Sequence, residues 1–277
     1  MMYPEEVNLE EKSKWLRREI LEMCGRAEAG HVSSAFSCVE ILVALYYGGI
    51  LRFDPIKPDW DERDWFILSK GHAAPALFCV LTDSGFFPAD ELNNFCRGGI
   101  LGSHPDTKVP GIEAVTGSLG HGLGISAGLA LAAKMDRKLN MTVVLLSDGE
   151  CYEGSTWEAA MFASHHQLNN LVAIVDRNML SATDFTENAL GLNPLGEKWR
   201  TFGWEVAAID GHSFKEIFST FKDFRSYRSS KPLMIIANTT KGKGVSFLEN
   251  NPLAHALVPK GKQLEQAREE LDERRLL

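Results

Sequence analysis

Two short apolar runs, each ending in side chains that offer oxygen, constrain this chain more than any other feature. Thr142-Val143-Val144-Leu145-Leu146 runs into Ser147, Asp148 and Gly149, and Leu171-Val172-Ala173-Ile174-Val175 runs into Asp176, Arg177 and Asn178. Unbroken runs of valine, isoleucine and leucine, without polar alternation, are the pattern of strands buried on both faces. The residues between them read as a helix, so the unit is strand–helix–strand and its strands are parallel. In an open parallel sheet, ligands bind beyond the carboxyl ends of the strands. Asp148 and Asn178 are therefore expected at one sheet edge, as hard oxygen ligands of the kind Mg2+ or Ca2+ takes. Two side chains cannot fill the roughly six positions around such an ion. Backbone carbonyls, water and a phosphorylated ligand would complete the set.

The alternation continues on both sides of this unit. Helical periodicity is expected over residues 10–26, where Trp15, Leu16, Ile20, Leu21 and Cys24 share a face. A second helix is expected over 37–47, with Ser37 able to cap it. Trp65–Leu68 reads as a strand, and 119–134 as a Gly/Ala-rich helix packed closely on the sheet. Strands at 205–209 and 233–237 bracket a helix at 214–224, and 262–277 reads as a charged, solvated helix. The expected fold class is α/β, a doubly wound, mainly parallel sheet flanked by helices. With 277 residues and no linker, repeat or low-complexity stretch, a single domain over 1–277 is expected.

Composition removes several function classes. A net charge of −8 argues against a nucleic-acid backbone as partner. No apolar run is long enough to cross a membrane. The N-terminal stretch is acidic and lacks a signal-peptide core. Five cysteines without a Cys-x-x-Cys spacing read as reduced thiols, mostly buried, of a cytoplasmic protein.

Four histidines sit in loop-like contexts: Gly30-His31, Gly71-His72, Ser103-His104-Pro105 and Ala254-His255. Imidazole exchanges protons near neutral pH and bonds sugar hydroxyls, so a cluster would suit carbonyl chemistry. Spacing alone does not bring the four together. Thr116-Gly117-Ser118-Leu119-Gly120-His121-Gly122 can be read in two ways. Its glycines let backbone N–H groups approach an anion at a helix N-terminus, or they simply pack a helix.

Asp148-Gly149, the helix that follows and Asn178 resemble the thiamine diphosphate motif. Glu153-Gly154, with Trp157-Glu158-Ala159, is similar to the same region of transketolases. So are His31 with Val32-Ser33-Ser34, Ser69-Lys70-Gly71-His72-Ala73, Gly102-Ser103-His104-Pro105, and the run from Lys241-Gly242-Lys243-Gly244 to Ala254-His255. The resemblance covers essentially the whole chain and matches the family's diphosphate-binding domain. It implies thiamine diphosphate with Mg2+, or Ca2+ or Mn2+ as substitutes, the metal held by Asp148, Asn178 and the backbone carbonyl of Leu180. It implies a cofactor lined by His72, Gly117, Leu119, Asp148, Gly149, Glu150, Asn178 and His255. Catalytic roles fall on His31, His72, His104, His255 and Glu153, the last as the interface glutamate that communicates with the one in the second domain.

The activity implied is transfer of a two-carbon ketol unit from a ketose, expected as a phosphate, to an aldose acceptor. In such enzymes the glutamate that activates the aminopyrimidine ring comes from a second, pyrimidine-binding domain. No such half is legible here. The resemblance therefore implies the N-terminal subunit of a split transketolase, which works with a separate C-terminal subunit in an α2β2 heterotetramer in the cytoplasm. Four positions depart from the pattern: Ser147 and Ala256 where glycine is usual, His121 where glutamine is usual, and Asp184, near which glycine is usual. Ser147, His121 and the Thr183-Asp184-Phe185 segment keep open a related subunit that delivers a two-carbon unit to a non-standard acceptor. A non-catalytic cofactor-binding module is the third reading.

Overall fold

The computed structural model describes residues 7–226 and 229–273. Along the chain run α1 (Leu9–Ala27), α2 (Val32–Ser37), α3 (Val39–Tyr46), β1 (Trp65–Leu68), α4 (Ala74–Asp83) and α5 (Gly122–Met135). There follow β2 (Thr142–Ser147), α6 (Gly154–His165), β3 (Leu171–Arg177), α7 (Thr186–Ala189) and α8 (Leu195–Thr201). The last elements are β4 (Glu205–Asp210), α9 (Phe214–Ser226), β5 (Leu233–Asn238) and α10 (Lys262–Glu273). Among the described residues the strands form one sheet in the order β1-β2-β3-β5-β4, every pairing parallel.

The expected doubly wound α/β architecture follows from how successive side chains leave each strand. On β2, Val143 and Leu145 enter one apolar layer while Val144 and Leu146 enter the other. On β3, Val172 and Ile174 part in the same way from Ala173 and Val175. This is the period of two that a pleated strand imposes. The first layer is closed by α1 to α4, α9 and α10, through residues such as Leu16, Ile20, Leu42, Phe78 and Phe221. The second is closed by α5, α6 and α8, through Leu123, Ala127, Ala160, Ala163 and Trp199. The alanines let α5 and α6 lie close to the sheet, and Trp199 and Trp204 fill the space beyond them, with Trp204 Nε1 donating to the Ala160 carbonyl at 2.9 Å.

Register fixes what the carboxyl edge presents. Ser147 stands opposite Asp176 on the neighbouring strand, and Asp176 opposite Ala237 on the next. Asp148 and Asn178 thus emerge from adjacent strands at one edge, as the sequence predicts.

Three expectations need correction. The helix expected over 37–47 is α3, Val39–Tyr46, and a separate short helix, α2, precedes it and ends at Ser37. Ser37 ends α2 rather than capping α3, because its hydroxyl donates at 2.6 Å to the Asp176 carboxylate buried at the end of β3. The helix expected from residue 119 begins at Gly122, since Gly117 and Gly120 take positive φ values that no helix accommodates. The charged C-terminal helix is not simply solvated. Ala267 and Leu271 of α10 are buried in the first layer, and Arg268 binds Glu22 of α1 through two bonds of 2.6 and 2.7 Å. The expectation over residues 274–277 lies outside the described residues.

The helix α4 is not legible in the sequence: every residue from Ala74 to Thr82 is buried, so there is no polar face to show a period. The cysteines are free, with Cys24, Cys38, Cys79 and Cys151 buried and Cys96 exposed. No helix among the described residues is long and apolar enough to cross a membrane.

Candidate functional site

Asp148 leaves β2 fully buried, and its carboxylate is caught at once. One oxygen accepts from the Gly149 N–H at 2.8 Å; the other accepts from the Met179 N–H at 2.7 Å, with the Arg177 guanidinium at 3.4 Å. Met179 adopts a left-handed conformation (φ 66°), which turns its N–H back to Asp148. Burial, reinforced by the nearby Asp176 charge, pushes the Asp148 pKa up to about 6 against the pull of Arg177 and the backbone donors. A carboxylate this deep, beside a like charge, is an environment that a cation would relieve.

Asn178, the next strand's exit, is held by its own surroundings. Its Oδ1 accepts from the Leu180 N–H at 3.1 Å and its Nδ2 donates to Asp176 Oδ2 at 3.2 Å. Asp176 in turn forms a fully buried ion pair with Lys70 and accepts from the hydroxyls of Ser37 and Thr239. Lys70 Nζ also donates to the Ser34 carbonyl at 3.0 Å and to Ser37 Oγ at 3.3 Å. Burial opposes both charges, but each holds the other: the Lys70 pKa lies above its ordinary value and that of Asp176 below.

Glu150 is also fully buried, and its carboxylate is committed to the protein. It accepts from the Gly120 N–H at 2.8 Å, from the Ser147 N–H at 3.3 Å and from the Ser69 hydroxyl. It therefore ties the glycine-rich loop and the Lys70 turn to the end of β2. Ser147 closes the same turn by accepting from the Glu150 N–H at 3.2 Å.

The four histidines converge. The ring of His31 lies 5.6 Å from that of His72, 5.1 Å from His255 and 6.4 Å from His104, and His72 lies 5.3 Å from His255. Close loop contact makes this possible. A Cβ at Gly71 would stand 2.7 Å from the Gly117 nitrogen, and one at Gly117 (φ 136°) would stand 2.8 Å from the His104 ring. Burial lowers all four pKa values, that of His255 to about 4 and that of His72 well below its ordinary value. The cationic Lys241 adds to the effect at His31, His72 and His255. The rings are therefore neutral at pH 7. Among the described residues, His31 Nδ1 and Ser34 Oγ are buried without a hydrogen-bond partner.

A cavity of about 360 Å3 joins these features, with Ser34, His72, Leu119, Gly149, Asn178 and His255 in its wall. It also receives a residue that the sequence does not mark as functional, Lys241. The Lys241 ammonium donates to the Ser181 carbonyl at 2.9 Å and to His255 Nδ1 at 3.0 Å. Burial, then repulsion from Lys70, lowers its pKa to about 8. Its only sequence signal is a lysine within a glycine-rich run, which points to the histidine that follows rather than to itself. Since His255 Nδ1 accepts, the neutral ring carries its proton on Nε2. His104 stands apart from the other three, in the wall of a wider cavity of about 570 Å3 that includes Ser103, Asp106, Lys108 and Val115. Glu153 lies exposed at the rim of the smaller cavity, and His121 is exposed at the start of α5.

The strand ends present one carboxylate, Asp148, and one amide, Asn178. Both offer hard oxygens and fit a divalent cation whose remaining positions come from water or an anionic ligand. Among the described residues no three His, Cys, Asp or Glu side chains are grouped to hold a metal by themselves. The orphaned polar atoms, the depressed lysine and the glycine-rich loop complete a recess suited to a phosphorylated, hydroxyl-bearing ligand.

Comparison with known proteins agrees with this geometry. Residues 11–273 match the family described as transketolase, thiamine diphosphate binding domain. A subunit of the apulose-4-phosphate transketolase of Phocaeicola vulgatus is 43% identical over 269 residues, covering 96% of this chain and 94% of that protein. A 6-deoxy-6-sulfo-D-fructose transketolase subunit of a Clostridium species is 41% identical over 256 residues, 92% of each. The crystal structure of transketolase from Campylobacter jejuni superposes with a TM-score of 0.90 at 30% identity, covering 97% of this chain and 43% of that one. The chain thus spans less than half the length of the solved transketolases it matches.

The neutrality of the cluster is testable without any ligand. Folding lowers these histidine pKa values from an unfolded value near 6.5, so the unfolded chain binds more protons between about pH 6.5 and pH 4. Stability should fall as pH drops through that window, and less steeply in His255→Gln. Histidine NMR titration should place the His255 midpoint near 4; a midpoint near 6.5 would contradict the buried, lysine-flanked environment.

Proposed function

The chain belongs to the transketolase family, and from that premise we propose that it is the thiamine diphosphate-binding, N-terminal subunit of a two-chain transketolase. The observation that carries the proposal is the convergence of four neutral imidazoles beside a recess holding Asn178, Gly149 and Leu119. In this reading residues 1–277 act as one diphosphate-binding domain. Asp148, Asn178 and the Leu180 carbonyl hold Mg2+, for which Ca2+ or Mn2+ can substitute. Lys241 and the backbone around Gly117, Leu119 and Gly149 hold the diphosphate. Bound thiamine diphosphate supplies the electron-poor ring that accepts the electrons of the broken carbon–carbon bond.

The chain's own residues bind and orient the sugar. His31, His72, His104 and His255 are neutral, so each ring carries one N–H donor and one acceptor nitrogen for sugar hydroxyls, except that the His255 acceptor is taken by Lys241. Such bonds are worth roughly 0.5–1.5 kcal/mol each, and more where a buried partner would otherwise be left unpaired. His255, with its proton on Nε2 and Lys241 on Nδ1, offers a donor to a developing oxyanion. The wider cavity outside His104 is the approach for substrate. Glu150 holds the glycine-rich loop rather than the ligand.

A separate C-terminal subunit with the pyrimidine-binding domain completes the site, in an α2β2 assembly in the cytoplasm. Two observations support a partner. Close relatives are named as subunits. Large apolar side chains stand exposed on the loop after Asn178 (Met179, Phe185, Leu190) and on α5 and α6 (Ile125, Met161, Phe162). Exposed apolar surface of this kind marks protein interfaces. Glu153, at the cavity rim, would contact that partner. The relatives named for apulose 4-phosphate and 6-deoxy-6-sulfo-D-fructose favour a donor ketose bearing an anionic group. With Ser147 and His121 they also favour, as a second reading, transfer to a non-standard acceptor.

Two experiments test the proposal. Calorimetry on the assembled enzyme should show Mg2+-dependent cofactor binding weakened by more than about tenfold in Asp148→Ala and in Asn178→Ala, with circular dichroism unchanged (tenfold is ~1.4 kcal/mol). Wild-type affinity in both variants would remove the metal assignment. Ketol transfer should be absent from this chain alone and from its candidate partner alone, and present in the mixture. Turnover by this chain alone would refute the two-chain reading.

A further inference from the structure

The Lys241 loop is gripped from outside the cavity by a charged cluster that touches neither the strand-end donors nor the four histidines. Arg17 of α1 is fully buried and binds Glu40 of α3 through two bonds, of 2.7 and 2.9 Å. Glu40 also accepts from His212 Nδ1 at 2.8 Å. Arg17 and His212 then reach the same loop. Arg17 Nε donates to the Lys243 carbonyl at 3.0 Å, and the Thr240 N–H donates to His212 Nε2 at 2.9 Å. The two attachments flank Lys241. Between them the Gly242 N–H donates to the Ser33 carbonyl at 2.9 Å. Gly242 has φ 79°, and a Cβ there would meet the Leu248 carbonyl oxygen at 2.4 Å.

We propose that Arg17, Glu40 and His212 are positioning residues that set where the Lys241 ammonium stands in the cavity, His212 being the member that fixes the loop's entry.

The chemistry of the cluster supports this. His212 Nε2 accepts, so a neutral ring carries its proton on Nδ1 and points it at Glu40; only one tautomer and one ring orientation make both bonds. Burial alone would push the Glu40 carboxyl up, but Arg17 and then His212 hold it down at about 2. A buried charged network of this kind contributes little net stability compared with apolar side chains of the same volume. What it supplies is geometry. The loop backbone is tied at Thr240, Gly242 and Lys243, and the Lys241 stem leaves it toward Ser181 and His255. The cluster lines no part of the cavity; it reaches the site through the Lys241 loop and, by the bond from Arg17 to the Phe36 carbonyl at 3.1 Å, through α2. That Lys241 meets the ligand's diphosphate rests on the function proposed above; that the cluster places Lys241 does not.

The test separates the two. The full chain is grown with lysine labelled with 13C at Cε, and the Lys241 signal is identified by its loss in Lys241→Arg. In the wild type that signal should stand apart from those of exposed lysines. His212→Phe fills the ring's volume but neither accepts nor donates, and should move the signal into the exposed-lysine envelope. His212→Gln keeps one donor and one acceptor and should retain the wild-type position. His212→Asn, too short to span Glu40 and Thr240, should behave as His212→Phe and serves if that variant fails to fold. Arg63→Leu, which breaks the Arg63–Glu113 pair elsewhere, should leave the signal in place. With the assembled enzyme, His212→Phe should also weaken Mg2+–thiamine diphosphate binding about tenfold. An unmoved Lys241 signal in both His212→Phe and His212→Asn overturns the proposal, as does an equal movement in Arg63→Leu. A signal moved by His212→Phe, in a protein whose wild type binds no cofactor, would sustain the positioning role and reject the functional reading instead.

Discussion

The buried ion pair between Lys70 and Asp176 is the interaction on which the rest of the site depends. Both side chains are fully removed from solvent, a placement that costs several kcal/mol per ion unless geometry compensates it. Here the compensation is a saturated network. Asp176 accepts from Lys70, Ser37, Thr239 and the Asn178 amide, while Lys70 also donates to the Ser34 carbonyl. These partners come from four separate pieces of chain. Ser34 and Ser37 belong to the helix after His31, Lys70 lies two residues before His72, Asn178 follows β3, and Thr239 opens the segment that carries Lys241. One carboxylate at the end of a central strand therefore brings together the loops that carry three of the four histidines, Lys241 and Asn178.

That network also shows what sequence can and cannot reveal. The strands β1, β2 and β3 are legible because unbroken runs of branched side chains have few other uses, and Asp148 and Asn178 follow from where those runs stop. The convergence of the histidines is not derivable from spacing. It depends on contacts such as Gly71 against Gly117, between segments with no local relation. Asp176 is visible only as the polar end of a strand, and Lys70 only as a neighbour of His72. Their pairing spans 106 residues. Resemblance alone gives Glu150 to the cofactor, whereas its carboxylate binds Gly120 and Ser69, 30 and 81 residues away in the chain. That Ser37 ends α2 rather than capping the helix expected over 37–47 has the same origin, since its hydroxyl answers to a carboxylate that local propensity cannot see.

The site combines two electrostatic regimes. At the strand ends, Asp148 and Asp176 concentrate negative charge, offset by Arg177 and Lys70. A few residues away the histidines are neutral and Lys241 has a depressed pKa, because burial and repulsion from Lys70 disfavour further positive charge. In the function proposed, a divalent cation with an anionic ligand would sit between these regimes and a polyhydroxylated substrate among the neutral imidazoles. Ser147, the departure next to Asp148, is absorbed without distortion because its hydroxyl accepts from the Glu150 N–H in the turn it opens.

The most direct test of this account compares Lys70→Met, Asp176→Leu and the double variant for both stability and cofactor binding. Each single change leaves an uncompensated buried charge and should cost about 3–5 kcal/mol in denaturant unfolding. The double change should recover much of that stability, since apolar side chains replace the pair. It should still fail to bind Mg2+–thiamine diphosphate in the assembled enzyme, because Asn178, Thr239 and Ser37 have lost the carboxylate that orients them. A stable double variant with wild-type cofactor affinity would show that the ion pair only supports the fold, and would contradict the claim that it builds the site.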